Sequence, residues 1–185
     1  MPGQLSLVIT LIFLIAGIQA PLLGSVSSVQ QFTITDGLSN SSVNVVFQDS
    51  RGFLWIGTED GLNRYDGYRF DVFRYDGTKI DAISGNRVVA IAEDGFGNIW
   101  VGTRNRGISV LSRETGRFIQ YRHNKNNPGS LPEDGVYAFH ISRDGSVWVK
   151  TEKYLSRFRA ETNDFQSYGH YANVFKPAQA VRFDI

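Results

Sequence analysis

Asp49-Ser50-Arg51-Gly52-Phe53-Leu54-Trp55-Ile56-Gly57-Thr58-Glu59-Asp60-Gly61-Leu62-Asn63-Arg64-Tyr65-Asp66-Gly67-Tyr68-Arg69-Phe70 is written three times along this chain, with Trp55 at its centre. The other two tryptophans, Trp100 and Trp148, stand in the same context: Gly52, Gly97 and Gly145 lie three residues before them, and Val43, Val88 and Val136 twelve before. The steps between tryptophans are 45 and 48 residues. A period of that size with short strand-like segments inside it is the signature of a β-propeller blade array.

Each repeat carries four strand candidates. The first begins at Val43, Val88 and Val136, and a turn through Gly52, Gly97 or Gly145 follows. The second strand holds the Trp, with Leu54/Ile56, Ile99/Val101 and Val147/Val149 alternating to the opposite face. Both faces are therefore apolar, as a blade sandwiched between two neighbours requires. The third strand starts at Gly61, Gly107 and Tyr154, and the fourth at Phe70, Phe118 and Phe165. Polar connections over 76–86 and 123–134 join the repeats. An extra strand is expected at Gln31-Phe32-Thr33-Ile34, where it resembles the outer strands of later repeats and would complete the last blade of a ring.

The expected fold is thus all-β: a propeller of four-stranded antiparallel blades, with repeats over about 37–82, 83–130 and 131–176 and the start of a fourth at 177–185. Propellers close with about four to eight blades. Three blades and a remnant, within a partial propeller over 28–185, predict an incomplete ring and a truncated chain.

Composition narrows the function. Of the 185 residues 42% are hydrophobic and 13% aromatic, enough for a packed core. Nineteen basic residues against eighteen acidic ones leave a net charge of +1, which supplies no field for nucleic acid. The lack of cysteine excludes disulfides, thiolate metal sites and thiol catalysis. The apolar run from Leu5 to Ile18, with no charged side chain before Asp36, marks residues 1–27 as a signal peptide or N-terminal anchor. It is shorter than the roughly 20 residues of a membrane span.

The run Gly37-Leu38-Ser39, Val43, Phe47 through Thr58, Gly61 through Tyr65 and Phe70 resembles the two-component regulator propeller repeat. The copy from Asp94 to Thr103 with Gly107-Ile108 resembles it as closely. The third copy departs, with Ser142 for the Asp, Lys150 for the Gly and Tyr154 for the next Gly. In that family such repeats form propellers on the periplasmic side of bacterial membrane sensors. The resemblance implies an extracytoplasmic sensor that binds an oligosaccharide and works as a homodimer. Its signal would pass to C-terminal domains of the same full-length protein, most often a histidine kinase and sometimes a diguanylate cyclase. A propeller acting as scaffold or dimerisation module is the alternative. No output motif and no catalytic motif is present in this chain, and neither a cofactor nor a metal is expected.

Site chemistry is weighed against architecture. Trp55, Trp100 and Trp148, like Gly52, Gly97 and Gly145, read as blade framework rather than as sugar platforms. Asp94-Gly95-Phe96-Gly97-Asn98 reads as a turn, since the carboxylate set of a calcium loop is missing. The acid pairs Glu59-Asp60 and Glu93-Asp94 point in different directions and do not suit a glycosidase. His123 and His170 read as loop residues and His140 as a strand residue, with no metal spacing among them. The loops after the second strands vary between copies and should emerge at the same end of the ring as the inter-repeat connections. The candidate ligand-binding residues are therefore Glu59, Asp60, Arg104, Asn105 and Arg106. The two arginines suit uronate or sulfate groups.

Overall fold

The computed structural model describes residues 31–170. The export segment expected over 1–27 and the remnant at 177–185 lie outside the described residues. Twelve strands form three four-stranded antiparallel sheets in simple up-and-down order. Blade 1 comprises β1 (Val43–Gln48), β2 (Leu54–Thr58), β3 (Gly61–Tyr65) and β4 (Phe70–Phe73). Blade 2 comprises β5 (Val88–Glu93), β6 (Ile99–Thr103), β7 (Ile108–Leu111) and β8 (Phe118–Tyr121). Blade 3 comprises β9 (Val136–Ile141), β10 (Val147–Thr151), β11 (Tyr154–Arg159) and β12 (Asp164–His170). The blades follow the three sequence repeats, and the described residues do not close a ring. His170, expected in a loop, instead ends β12.

The inner strands carry a shared irregularity. Val43 pairs with Thr58 but Val45 with Gly57, so Asn44 is skipped; Val89 and Tyr137 are skipped in the same way. This bulge flips the alternation. Val88 and Ile91, three apart, come to one face and pack toward blade 1, while Ala90 packs toward blade 3.

Two apolar layers result. Trp55, with Val45, Phe47 and Phe73, packs on Val88, Ile91, Ile99, Val101 and Phe118 of blade 2. Trp100, with Ala90, Val110 and Tyr121, packs on Val136, Phe139, Val147, Val149 and Phe165 of blade 3. The tryptophan face of each blade thus meets the Ile/Val face of the next. Gly57 and Gly102 allow the close approach: a Cβ on either would stand 2.5 Å from Val88 Cγ1 or Val136 Cγ1. At the equivalent position of blade 3 stands Lys150, exposed.

Each tryptophan is tied to its own turn in blades 1 and 2. The Asp49 carboxylate accepts from the backbone N–H groups of Arg51 and Phe53 and, at 2.9 Å, from Trp55 Nε1. Asp94 does the same for Phe96, Asn98 and, at 2.8 Å, Trp100 Nε1. The carboxylates are thus consumed by the turn, which accounts for the Asp-x-x-Gly pattern without a cation. Blade 3 keeps the turn backbone, with Gly145 N–H donating to the Ser142 carbonyl at 2.9 Å. There Ser142 replaces the Asp, and Trp148 is half-buried.

A further tie varies between blades. Leu38, Ile83 and Leu131 are buried at the entry to each blade. The next backbone N–H, of Ser39 or Ser84, donates to Asn63 Oδ1 (2.8 Å) or Ser109 Oγ (2.7 Å) on the third strand. In blade 3 that next residue is Pro132, which has no N–H. The third-strand residue Ser156 turns instead to Ser167, Oγ to Oγ at 2.9 Å.

The leading segment differs from expectation. Residues 31–33 are not a strand, and Ile34–Asp36 forms a 3-10 turn capped by Thr33 and closed by Gly37 at φ 106°. The local Thr-x-x-Asp capping box outcompetes extended structure. Phe32 nevertheless meets Phe70 edge-on at 5.3 Å. That contact matches the ones made by the last residues of β4 and β8: Phe73 on Phe118 at 5.5 Å and Tyr121 on Phe165 at 5.4 Å.

Candidate functional site

The turns that carry the five candidate residues are built on a shared device. Thr58, Thr103 and Thr151 are buried at the ends of the second strands. Each hydroxyl donates across its turn, to the carbonyl of Gly61 (3.1 Å), Gly107 (2.9 Å) or Tyr154 (3.3 Å). Each also accepts a backbone N–H, from Asp60, Arg106 or Tyr154. The turns are thereby fixed, and the residues between them project from one end of the blades.

The inter-blade connections emerge at that same end. Gly61 N–H donates to the Asn86 carbonyl at 2.7 Å and Gly107 N–H to that of Asp134 at 2.8 Å. Asp60 binds Arg74 Nε (3.1 Å) and Asn86 Nδ2 (3.0 Å), and Glu59 pairs with Arg87 at 2.9 Å. The two adjacent acids therefore diverge, each toward a separate partner. Glu93 also reaches a neighbouring blade, accepting from the N–H and hydroxyl of Ser50 at 2.7 Å each. No acid of either pair faces another as a general acid/base couple would. Within the connection from blade 1 to blade 2, the Thr78 hydroxyl and N–H, with Lys79 beside them, hold the Asp76 carboxyl below the usual carboxylate range.

The arginines lie on aromatic rings. Arg104 stands over Tyr137 at 4.8 Å and Arg106 over Tyr75 at 4.6 Å. Arg106 is also pressed on Gly85, where a Cβ would come within 3.0 Å of the arginine Cβ. Arg104 and Asn105 are exposed, and the backbone N–H of Arg104 is anchored to the Arg87 carbonyl at 3.0 Å. Glu59, Asp60 and Arg106 are thus tied into the blade joints, whereas Arg104 and Asn105 remain presented to solvent. Tyr75 and Tyr137 were not among the sequence candidates. Tyr137 occupies the skipped position of the bulge and Tyr75 a variable connection, and neither repeats in the other copies.

The connection from blade 2 to blade 3 shapes a recess of about 760 Å³, lined by residues including His123, Asn124, Ser130 and Asn163 and by none of the five candidates. His123 Nδ1 contacts the Leu131 carbonyl at 2.8 Å, and Asp134 accepts the His123 N–H at 2.7 Å. His123 is therefore a structural tie of an otherwise exposed loop. Among the described residues, no group of three or more His, Asp or Glu side chains is arranged to hold a metal.

The comparisons with known proteins agree with this architecture. The two component regulator propeller family matches residues 37–60 and 82–105. The extracellular domain of a hybrid two component system from B. thetaiotaomicron is 32% identical, with a TM-score of 0.70, over 76% of this chain and 20% of that one. The extracellular domain of a one component system from the same organism shares the fold, at 22% identity and a TM-score of 0.58, over 71% of this chain and 19% of that one. A histidine kinase of Formosa agariphila is 53% identical over 45 residues, which are 24% of this chain and 3% of the kinase. The chain spans about a fifth of the solved relatives and a far smaller share of the kinase. Repeat spacing, blade topology and these matches together identify residues 37–60 and 82–105, set in blades 1 and 2, as two component regulator propeller repeats.

Proposed function

We propose that this chain is the N-terminal part of an extracytoplasmic sensor propeller, on the periplasmic side of a bacterial inner membrane. Its signal would pass to a histidine kinase in the C-terminal part of the full-length receptor. The observation that carries this reading is the 32% identity, over 76% of the chain, to the extracellular domain of a hybrid two component system. The apolar segment from Leu5 to Ile18 supports export.

The ligand class proposed is an oligosaccharide bearing acidic groups, bound at the loop end by Arg104 and Asn105 with Arg106, Glu59 and Asp60 around them. Arginines on tyrosine rings, Arg104 exposed and Arg106 half-buried, support this, because guanidinium groups recognise carboxylate and sulfate while the ring edges offer apolar sugar contacts. The receptor is proposed to act as a homodimer. Calorimetric titration of the full ectodomain against a glycan panel tests the reading. Arg104→Ala should weaken binding about tenfold or more, as loss of a charge-assisted pair does. Unchanged affinity in Arg104→Ala and Arg106→Ala would overturn the site, and no glycan binding at all would favour a scaffold or dimerisation role.

A further inference from the structure

Blades 2 and 3 join their third and fourth strands by turns of the same sequence pattern, Glu114-Thr115-Gly116 and Glu161-Thr162-Asn163. Gly116 stands at φ 67° and Asn163 at φ 53°, and among the described residues Asn163 is the one non-glycine residue in this left-handed region. Glycine adopts that conformation readily, while a residue with a Cβ is strained there and asparagine is one of the few tolerated. Blade 3 therefore places a side chain where its backbone favours none. The side chain reaches across to blade 2, where Tyr121 Oη donates to Asn163 Oδ1 at 2.6 Å.

Asn163 thereby forms one wall of the recess of about 760 Å³ at the connection from blade 2 to blade 3. The connection is itself fixed: Asn124 N–H donates to Ser130 Oγ at 2.9 Å, and the Gly129 carbonyl accepts the Phe165 N–H at 2.7 Å. The hydrogen bonds that build the recess engage its amide oxygens. Asn124 Oδ1 accepts the Asn126 N–H and Asn127 Oδ1 the Gly129 N–H, at 3.0 Å each. With Asn163 Oδ1 on Tyr121, three carboxamides have their oxygens occupied, and none of their Nδ2 groups has a partner among the described residues.

The charges of the lining are unequal in the same sense. Arg122 meets Asp134 only at 4.0 Å, and Lys125 pairs with no acid among the described residues. The lining carboxylate, Asp164, is held on both oxygens by Arg159, at 2.8 and 2.6 Å. His123 Nδ1 faces a carbonyl, so it carries the proton and leaves Nε2 as an acceptor. The equivalent recess of the preceding connection, about 620 Å³, has its cations engaged: Arg74 on Asp60 at 3.1 Å and Lys79 on Asp76 at 3.4 Å.

We propose that the recess between blades 2 and 3 binds an oxyanion of the sulfate or carboxylate class. Asn124, Asn127 and Asn163 donate to it through Nδ2, and Arg122 and Lys125 supply the charge. Hydrogen bonds to a charged acceptor are the strong ones, and walls already held by hydrogen bonds lose little freedom on binding. An anion carried by a sugar adds a hydroxyl to donate to His123 Nε2, which a free anion lacks. None of the five loop-end candidates lines this recess, so the site stands independently of the glycan reading above.

Calorimetric titration of the full chain with inorganic sulfate at constant ionic strength tests the site. Asn163→Gly copies the turn of blade 2 and relieves the backbone, so the amide is removed without loss of the fold. It should weaken sulfate binding about tenfold, as loss of a hydrogen bond to a charged group does. Asn163→Asp keeps an acceptor for Tyr121 but replaces the donor by a negative charge, and should abolish binding. Lys125→Ala should also weaken it about tenfold, and Lys79→Ala, in the other recess, should leave it unchanged. A monosaccharide sulfate and glucuronate, set against inorganic sulfate and acetate, form the second arm. Tighter binding of the sugars assigns the anion to a glycan, and equal binding assigns it to a free anion. No binding by folded protein, equal weakening in Lys79→Ala, or undiminished binding in Asn163→Asp would overturn the proposal.

Discussion

Blades 2 and 3 share strand order, turn backbone and register, yet their tryptophans lead different lives. Trp100 is 2% exposed, bonded to Asp94 and pressed by Phe139, Phe158 and Tyr121. Trp148 is half-buried, stands six residues after Ser142, and has Tyr168 at 5.4 Å as its ring partner. The same backbone thus supports two kinds of tryptophan face, and the difference lies in four side chains: Asp94 or Ser142, Gly102 or Lys150, Ala92 or His140, and Val110 or Arg157. The lesson is that blade geometry is fixed by turns and strand pairing, while the chemistry of each tryptophan face is set independently.

Three pairs of substitutions and one single substitution probe that contrast, each read by urea denaturation. The largest effect is expected at the tryptophans: Trp100→Ala should cost about 3–5 kcal/mol, as for other buried large aromatics. Trp148→Ala should cost roughly half as much, in proportion to its smaller burial. Equal costs would mean that the two tryptophan faces are equivalent.

Next comes the close approach. Gly102→Leu should cost about 1–3 kcal/mol by overpacking against Val136 and Ala90. Lys150→Ala should cost less than Gly102→Leu, because the exposed lysine fills no close blade contact. A comparable loss at both sites would refute the distinction.

The turn carboxylate follows. Asp94→Ser should cost about 2 kcal/mol, since it strands an indole N–H and two backbone N–H groups. The reciprocal Ser142→Asp should gain less than about 1 kcal/mol. A loss on introducing the carboxylate would show that the blade 3 turn has moved beyond reach of Trp148.

The smallest effect concerns pH. In blade 3 the acid has shifted to Asp144, whose carboxyl is lowered by the N–H and hydroxyl of Ser146 and by Arg157. A depressed folded-state pKa stabilises above the unfolded value and is lost as pH falls through the folded one. Asp144→Asn should therefore weaken the chain near neutral pH and change nothing once the solution is acid enough to protonate the carboxylate. A difference that persists in strong acid would assign the effect to packing.

Much of the fold was legible because the repeat reports on it three times. Trp, Gly and Val at fixed intervals placed all twelve strands, and the alternation around Trp55 and Trp100 gave both blade faces. Local competition was harder to read: Thr33 and Asp36 cap a 3-10 turn where strand character was expected. Couplings between a blade's entry and its third strand were also hidden, such as Pro132, whose missing N–H leaves Ser156 to pair with Ser167 within blade 3. At the candidate site, the loop bearing Arg104, Asn105 and Arg106 was visible as the copy that differs in length. Its aromatic supports were not, because Tyr75 and Tyr137 come from other segments and meet the arginines only after the blades stack.

The bulge on the inner strands has a consequence for how such a repeat can diversify. Ladder pairing steps past Asn44, Val89 and Tyr137, so these residues answer to neither of the two packed faces. Across three otherwise similar strands they are an amide, an aliphatic and a phenol: Asn44 reaches the Val88 carbonyl at 3.0 Å, and Tyr137 carries the Arg104 guanidinium. Each blade thus holds one uncommitted address on its innermost strand, where a new side chain can be tried without renegotiating the stack.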